Sequence, residues 1–558
     1  MSLCKNILPY QGNYMNDKTI IFQAKTIITM NSYLPEATHV AVRDGKILGV
    51  GSLEDLQKWG EFELNQQFAD KVLMPGFVEG HCHAPEGQIW DHTYLGFFGR
   101  RDPEGNWHSE LKNMDEVLER LREEDRSMED PEEPLFAWGF DPIYYHSERM
   151  TVKHLDSVST SRIIIIIHAS GHLLNVNSLV LERAGIDAST EVQGVFKDED
   201  GNPTGELISM ATRYMIQKVA GTPFFNSMDA RGLRRFATAA CNVGVTTATD
   251  LAARFDEVTL QAYREVTAKD DYRLRIAPAM RIQEVPIPEG IAQVRELNGT
   301  NSDKLHFGLC KIIADGSIQG FTARLKWPGY YNGSPEGAWY LPPETLKKII
   351  DAYHAEGMHL HIPTNGDEAT EVTIGALDAA LPRNPRADHR HTLQHCQMAE
   401  EAHFRSMAKL GICANLFSNH LFYWGDQHLE LTMGPDRAAR MNATATAKRH
   451  GIHFGIHSDA PVTPLGPLFT AWCAVNRKTA SGRTLGEQEK ISVADALHAV
   501  PTGAAYTLKL DHLVGSIESG KFADFAVLED NPYEVAPENL KDVQVWGTVV
   551  GGMPFQGL

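Results

Sequence analysis

Residues 72–83 read Val72-Leu73-Met74-Pro75-Gly76-Phe77-Val78-Glu79-Gly80-His81-Cys82-His83, and the fold assignment depends on this stretch. Its apolar part predicts a short buried strand, which two imidazoles follow at positions i and i+2. Because side chains alternate across a strand, we expect both rings on one face of the strand end, where one cation can bind both. The alternative is a pair of unrelated surface histidines, which would be favoured if the two stood alone.

The middle of the chain alternates buried-strand patterns with amphipathic helices. The clearest helix pattern is 344–356, whose apolar residues recur at i, i+3, i+4 and i+7 before a strand pattern at 359–362. The same order recurs with helix 400–410 before strand 412–416, and with helix 437–449 before strand 452–456. This alternation is typical of parallel βα units. We therefore expect an α/β fold with a (β/α)₈ barrel of the TIM type, whose functional groups lie at the carboxyl ends of the strands.

Both ends of the chain have a β-rich pattern of short apolar runs and turn residues. This pattern covers residues 19–51 and returns at residues 515–551. Neither end alone has enough strands to cover a hydrophobic face, so we expect one composite β-sandwich domain built from both. The predicted division is residues 1–74 and 505–558 for the sandwich and 75–504 for the barrel. A charged segment near 85–160, rich in Trp and Pro, is predicted to be an inserted lid.

Two further polar side chains end predicted strands. His395 ends the run Thr392–His395, and Asp459 ends the later run Phe454–Asp459. Each has a simpler interpretation, His395 as a hydrogen-bonded core histidine and Asp459 as the cap of the next helix. Their recurrence at successive strand ends of a barrel favours one shared site with His81 and His83.

Lys311 lies inside an otherwise apolar strand pattern, Leu309–Ile313. A buried lysine is costly unless it is paired or modified. One solution is carbamylation by CO₂, which converts the amine into an anionic metal ligand. The other is a salt bridge to Asp315 or Asp459.

Composition excludes several classes of partner. The net charge of -20 over 558 residues opposes binding to phosphate backbones or anionic lipid, so we expect no nucleic-acid and no membrane partner. The longest apolar run, Ile163–Ile167, is too short to cross a bilayer. Seven cysteines without CxxC spacing suit a reducing compartment, and we expect a cytoplasmic location.

Several different short motifs are distributed along most of the chain. They are Pro75-Gly76-Phe77 with His81-x-His83; Gly171-His172 with Asn175-Val176-Asn177-Ser178; Gly194 with Gly201-Asn202-Pro203-Thr204-Gly205; Gly244-Val245-Thr246-Thr247 with Asp250; Lys311 with Asp315-Gly316-Ser317; Asn365-Gly366-Asp367; His395; Arg437; Ser458-Asp459-Ala460-Pro461; and Gly515–Asp524. In combination they resemble amidohydrolase family 3, the group that includes N-substituted formamide deformylases. The resemblance implies a metal-dependent hydrolase that cleaves a non-peptide carbon–nitrogen bond of a small molecule. It also implies one or two divalent cations, with zinc expected first, and favours a homodimer.

The resemblance also implies roles for individual residues. The metal-ligand candidates are His81, His83, Lys311, His361, His395 and Asp459, and Asp459 is also the expected general base and general acid. The candidate substrate contacts are His172, Asn177, His420 and Arg437. For two of these a structural role is the alternative, since Asn177 can cap a helix and Arg437 can pair with a neighbouring Asp.

Two positions depart from the family pattern. Glu79 stands where the family usually has Asp, and Pro363 stands where it has a fifth-strand histidine. Proline donates no backbone hydrogen bond, so we expect the strand to end or bend at Pro363. His361 is then the expected replacement ligand, with outright loss of the ligand as the alternative. His359, about 7 Å further along a regular strand, is expected in the core.

Two other functions remain open at this point. The same site can hydrolyse an ester, lactone or phosphoester, because the activated water attacks any suitably placed electrophile. Pro363 also motivates a metal-free binding protein that has kept the barrel. Trp90, Phe97 and Phe98, in the inserted segment, indicate either an apolar group near the pocket or packing within a lid.

Overall fold

Eight parallel strands form the central sheet of the protein. The computed structural model describes residues 18–145, 148–192, 194–208, 210–220 and 227–558. In sheet order, the barrel strands, counted from first to eighth along the chain, are Phe77–Glu79, Val245–Ala253, Arg275–Arg281, Leu309–Lys311, His359–Thr364, Thr392–His395, Cys413–Leu416 and Phe454–Ile456. Each pairs in parallel with the next along the chain. All their carboxyl ends therefore lie at one edge, the mouth of the sheet.

The sheet curls so that its first and eighth strands meet at this mouth. The backbone N–H of Asp459 donates to the carbonyl of His81 (3.1 Å), and the N–H of His83 donates to the carbonyl of Ala460 (2.7 Å). Gly76 lets the first strand approach the second, because a Cβ there would lie 1.9 Å from Thr246 Oγ1. The glycine of the Pro75-Gly76-Phe77 motif is therefore required by the close packing of these two strands.

Helices separate the strands along the chain. Those of the barrel region are Ala230–Asn242, Glu257–Thr267, Ile287–Asn298, Pro343–Ala355, Asp367–Ala380, Glu401–Leu410, Asn419–Gln427, Gly434–Ala438, Thr444–Arg449, Pro467–Asn476, Val493–His498 and Ala504–Thr507. Pro343–Ala355 buries the apolar face that its spacing predicts. The prediction of one continuous helix over 437–449 is wrong. Asn442 has a left-handed φ of 48°, which no continuous α-helix accommodates, and the segment is divided between two short helices.

The two chain ends form one seven-stranded sheet. Its strands in sheet order are Met553–Gln556, Val545–Val550, Phe525–Leu528, Phe62–Pro75, Thr19–Ile28, Glu36–Arg43 and Lys46–Gly51, and the helix Leu53–Leu56 follows the last of these. A buried ion pair, Arg275 Nε to Asp524 Oδ2 at 2.6 Å, ties this sheet to the barrel. Both chain ends contribute strands to one sheet, as predicted. That this domain is a two-layered sandwich stays a prediction.

A separate six-stranded sheet lies between the first and second barrel strands along the chain, and the lid bounds 85–160 stay a prediction. Its six strands in sheet order are Val195–Lys197, Pro203–Ile208, Leu173–Val176, Ile164–His168, Leu135–Phe140 and Thr93–Tyr94. A two-stranded ribbon, Arg100–Arg101 with Trp107–His108, and the helices Met114–Ser127, Val152–Asp156, Ser178–Ala184 and Met210–Ala220 complete this inserted region. The isoleucine-rich strand pairs with Leu135–Phe140, so residues beyond 160 belong to the same sheet.

Phe97 and Trp90 of this region pack against other aromatic rings of the same region. Phe97 stacks on Tyr144 (ring centroids 4.6 Å apart), and Trp90 meets Trp138 edge-on (4.9 Å).

Within the described ranges no helix has the length and apolar character needed to cross a membrane. The six described cysteines are free.

Candidate active site

His81, His83 and Asp459 meet at the mouth of the barrel. The two histidines follow the first strand and Asp459 follows the eighth, so the meeting of these strands brings them together. Asp459 Oδ1 lies 3.4 Å from His81 Nε2 and 3.2 Å from His83 Nε2. The three donor atoms lie within 4.8 Å of one another, close enough to converge on one divalent ion.

A second donor group shares His81 and adds His395 and His457. The ring of His81 lies 4.6 Å from that of His395 and 4.7 Å from that of His457, between centroids. His457 was not among the ligands predicted from sequence. The available signal was its spacing, since it stands two residues before Asp459 at a strand end, as His81 stands two before His83.

The backbone at this site is strained. His395, Cys396 and Asp459 have φ angles of 69°, 47° and 55°, in the left-handed region that residues other than glycine rarely adopt. Each such residue costs on the order of 1–3 kcal/mol and persists only where its surroundings hold it. Two backbone hydrogen bonds hold Asp459 in this conformation: its N–H donates to the carbonyl of His81, and its carbonyl accepts the N–H of Val462. Of the three, His395 and Asp459 line the cavity at the mouth, whereas Cys396 lies in the hydrophobic core.

Burial sets the charge of the donor groups. It lowers the pKa of His395 to about 3 and that of His81 well below its ordinary value. Burial alone would raise the pKa of Asp459, but His83 and His395 hold it below its usual range. Neutral imidazoles and an ionised carboxylate are the protonation states that bind a divalent cation.

Lys311 lies beside both donor groups, with Nζ 3.2 Å from His81 Nε2. Burial lowers the pKa of Lys311 to about 7. Asp315, one predicted salt-bridge partner, instead accepts the backbone N–H groups of Arg324, Asn365 and Gly366 at 2.8–2.9 Å. Among the described residues, no carboxylate forms an ion pair with Lys311, so neither salt-bridge alternative is present.

Gln394 separates His361 from the donor groups. Its side-chain oxygen accepts from His81 Nδ1 (2.8 Å), and its amide nitrogen donates to His361 Nδ1 (2.8 Å). His81 therefore presents the lone pair of Nε2 to the site, whereas the remaining hydrogen of His361 is on Nε2 and leaves no free lone pair. His361, a predicted ligand, belongs to neither donor group of the described residues, and its role as a ligand stays a prediction. His359, as expected, is buried, with Nε2 2.7 Å from the carbonyl of Arg390.

Pro363 does not end the fifth strand, which continues to Thr364. Its carbonyl accepts the N–H of Ala314, and Pro363 pairs in register with Gln394 of the sixth strand. The proline removes one donor but leaves the other ladder contacts in place, so the strand ends one residue after Pro363 and not at it.

Glu79 lies beneath the site. Its carboxylate accepts from the Ser458 hydroxyl (2.9 Å) and backbone N–H (3.3 Å), which joins the first strand to the segment after the eighth. Burial raises the pKa of Glu79 to about 8. The longer side chain, where the family usually has Asp, thus holds the two ends of the sheet together.

A cavity of about 280 Å³ opens above the donor groups. Its walls come from the mouth of the barrel and from the inserted sheet, which contributes Trp138, His168 and His172. His172, a predicted substrate contact, thus lines the cavity, and burial lowers its pKa to about 4.

Asn177, a predicted substrate contact, is not among the residues that line the cavity. Its amide nitrogen donates to the carbonyls of Ser159 (3.0 Å) and Arg162 (2.8 Å), and its oxygen accepts the N–H of Ile164 (3.3 Å). It starts the helix Ser178–Ala184 without a side-chain cap. Its side-chain hydrogen bonds therefore all stabilise the inserted region.

His420 and Arg437 also lie outside the cavity lining. His420 is fully buried, with Nε2 3.0 Å from Gln319 Oε1 and Nδ1 2.8 Å from His428 Nε2. Both ring nitrogens are thus occupied, which leaves none for a substrate. Arg437 lies in a short helix, where its Nε donates to the carbonyl of Met433 (3.0 Å).

The donor groups fit a divalent metal ion. His395 Nδ1 and both ring nitrogens of His457 are buried without hydrogen-bond partners among the described residues. An unsatisfied buried polar atom costs about 1–3 kcal/mol, which a bound cation would offset. Imidazole nitrogen and carboxylate oxygen are also ligands that divalent metals of the zinc type accept.

Known proteins resemble this chain along nearly its whole length. The model of the amidohydrolase family matches residues 69–555. YtcJ of Bacillus subtilis (strain 168) is 28% identical over 95% of this chain and 98% of its own length. The N-substituted formamide deformylase of Arthrobacter pascens is 24% identical over 97% and 98%.

A solved structure shares the fold. It is a metal-dependent hydrolase from Pyrococcus horikoshii OT3, with a TM-score of 0.71 and 19% identity over 93% of this chain and 99% of that one. Since the family model covers most of the chain, from residue 69 to residue 555, this protein belongs to the amidohydrolase family.

Proposed function

We propose that the protein is a zinc-dependent hydrolase that cleaves a carbon–nitrogen bond of the amide type in a small molecule. The observation that carries this proposal is the convergence of His81, His83, His395, His457 and Asp459 in two donor groups that share His81, with several donor atoms left unsatisfied. The cavity of about 280 Å³ suits a small substrate.

His81 and His83 would hold the ion together with Asp459, and His395 and His457 extend the donor set. When bound, the ion supplies a water of lowered pKa and polarises the substrate carbonyl. Gln394 keeps His81 in the tautomer that offers Nε2, and the inserted sheet covers the reacting bond.

Asp459 moves the proton. Its carboxylate accepts a proton from the attacking water as the oxygen adds to the carbonyl carbon. It then returns this proton to the nitrogen as the carbon–nitrogen bond breaks, so that a carboxylic acid and an amine leave. An amine needs this proton to leave, which suits one carboxylate acting as base and then as acid.

Lys311 is proposed to be carbamylated. Its lowered pKa provides neutral amine near pH 7, the form that reacts with CO₂. The carbamate would place an anionic oxygen beside His81, within reach of both donor groups.

Metal removal and reconstitution test this function. N-benzylformamide and benzyl formate form a matched pair that differs only in the bond cleaved. Chelator dialysis should abolish turnover of the formamide, and zinc with bicarbonate should restore it more fully than zinc in CO₂-free buffer. Turnover of the ester alone would refute the bond class, insensitivity to chelator would refute the metal, and a missing bicarbonate effect would refute the carbamate.

Separate alanine variants of His457 and His361 should distinguish the two histidines. We expect His457→Ala to lower the metal-to-protein ratio, because it removes a member of the second donor group. His361→Ala should retain the metal, because Gln394 separates its ring from the site. Elemental analysis after dialysis measures both ratios. Metal loss in His361→Ala with full metal in His457→Ala would reverse the assignment.

A further inference from the structure

We propose that Asp250 is a positioning residue that acts on the metal site through His83. Its carboxylate faces one nitrogen of the His83 ring, so that the opposite ring nitrogen is the one offered to a cation. This inference rests on the proposed function, since it concerns the same metal site. It adds a residue that belongs to neither donor group.

The ring of His83 lies between two carboxylates. Its Nε2 is 3.2 Å from Asp459 Oδ1, and its Nδ1 is 3.9 Å from Asp250 Oδ1. The longer distance exceeds that of a normal hydrogen bond, so the interaction with Asp250 is electrostatic. A neutral imidazole carries one hydrogen, and a ring that binds a cation through Nε2 keeps this hydrogen on Nδ1. A negative charge on the Nδ1 side favours that tautomer.

A single hydrogen bond orients the carboxylate of Asp250. The hydroxyl of Tyr263 donates to Asp250 Oδ2 at 2.6 Å, and both residues are buried. Tyr263 belongs to the helix Glu257–Thr267, which follows the second barrel strand. Because this bond holds one carboxylate oxygen, the other oxygen, Oδ1, is left facing His83.

The backbone also fixes the position of Asp250 relative to His83. The residues on either side of Asp250 are both bonded to Cys82, which directly precedes His83. The N–H of Leu251 donates to the carbonyl of Cys82 (2.9 Å), and the N–H of Cys82 donates to Thr249 Oγ1 (3.2 Å). The ends of the first and second strands therefore set the distance between the carboxylate and the ring.

The two leading histidines differ in the charge of the group at Nδ1. His81 meets the neutral amide of Gln394, whereas His83 meets a carboxylate. A carboxylate beside the ring N–H makes the metal-binding nitrogen more basic, and such a charge acts more strongly in a buried site than in water. Burial lowers the pKa of Lys311, and Asp459 and Asp250 oppose this lowering, so the charge of Asp250 extends to the donor groups.

The test measures the Kd of zinc by competition with a chromophoric chelator. Asp250→Ala should raise this Kd by about 10- to 100-fold, the range found when a group that orients a metal-bound histidine is lost. Asp250→Asn keeps the shape and one oxygen but not the charge, and should give a smaller rise. Asp271→Ala and Asp271→Asn are the matched controls, because Asp271 pairs with Arg234 at the exposed surface, and should keep the wild-type Kd.

A spectroscopic measurement separates this role from a purely structural one. Asp250→Asn should shift the visible absorption bands of Co²⁺ bound in place of zinc, while the Tm of the metal-free protein stays near that of the wild type. A support for the fold alone would change the Tm and leave the bands in place. If Asp250→Asn leaves both the Kd and the cobalt bands unchanged, the charge of Asp250 has no part in metal binding and the inference is overturned.

These measurements need no turnover, which separates the inference from the proposed function. Weaker zinc binding in the Asp250 variants, together with no hydrolysis of N-benzylformamide by the wild-type holoenzyme, would refute the bond class and support the positioning role. A wild-type protein that binds no zinc would overturn both.

Discussion

Replacing Asp459 with asparagine is expected to lower kcat by about 10²- to 10⁴-fold, the range that general acid–base catalysis contributes. Asparagine has nearly the same shape and keeps one oxygen for a cation, but it cannot accept a proton from water. Neighbouring histidines hold the pKa of Asp459 low, so the carboxylate is ionised and ready to accept that proton. Steady-state kinetics on N-benzylformamide measure the effect.

The metal content of Asp459→Asn distinguishes a lost proton transfer from a lost metal ion. Asp459→Asn should retain most of its metal, since the four histidine candidates remain, and a kcat loss at full occupancy indicates a missing proton transfer. Asp436→Asn is the matched control, because Asp436 is exposed on a short helix away from the cavity lining. If Asp459→Asn turns over normally at full metal occupancy, the proton moves through another group.

Replacing both His81 and His83 with alanine is expected to remove the metal and reduce turnover to the uncatalysed level. His81 belongs to both donor groups, so its loss leaves neither complete, and His83 completes the first. Bound zinc should also stabilise the wild-type fold, by about 2.7 kcal/mol at one hundred times its Kd. The double variant should therefore lose the zinc-dependent rise in Tm.

The double variant is expected to keep its fold, because both residues follow the first strand instead of lying within it. Far-UV circular dichroism and elemental analysis should show native secondary structure without metal. His450→Ala is the control, since its ring meets Glu401 on the barrel's outer surface. Full metal in the double variant would exclude the His81–His83 assignment.

Much of the fold and part of the site can be predicted from sequence. His81, His83, His395 and Asp459 follow strand patterns, and parallel strands bring their carboxyl ends to one edge whatever the packing elsewhere. Lys311 stands out because a cation in an apolar strand needs an explanation. These signals are local, and the topology of the sheet converts them into one site.

The remaining residues depend on contacts that are distant in sequence. Whether His361 faces the ion depends on Gln394, 33 positions later on the neighbouring strand. Asn177 lies in a family motif, yet its partners are loop carbonyls of the inserted sheet. The extent of that sheet likewise depends on pairing between strands, which local patterns leave open.

The meeting of the first and eighth strands has a consequence for biosynthesis. The first donor group joins residues 81 and 83 to residue 459, so most of the chain must be made before its last ligand exists. A nascent chain that has produced only the first seven strands can offer the two leading imidazoles but not the carboxylate. Metal capture by the complete group is therefore a late event, and it reports that the barrel has formed.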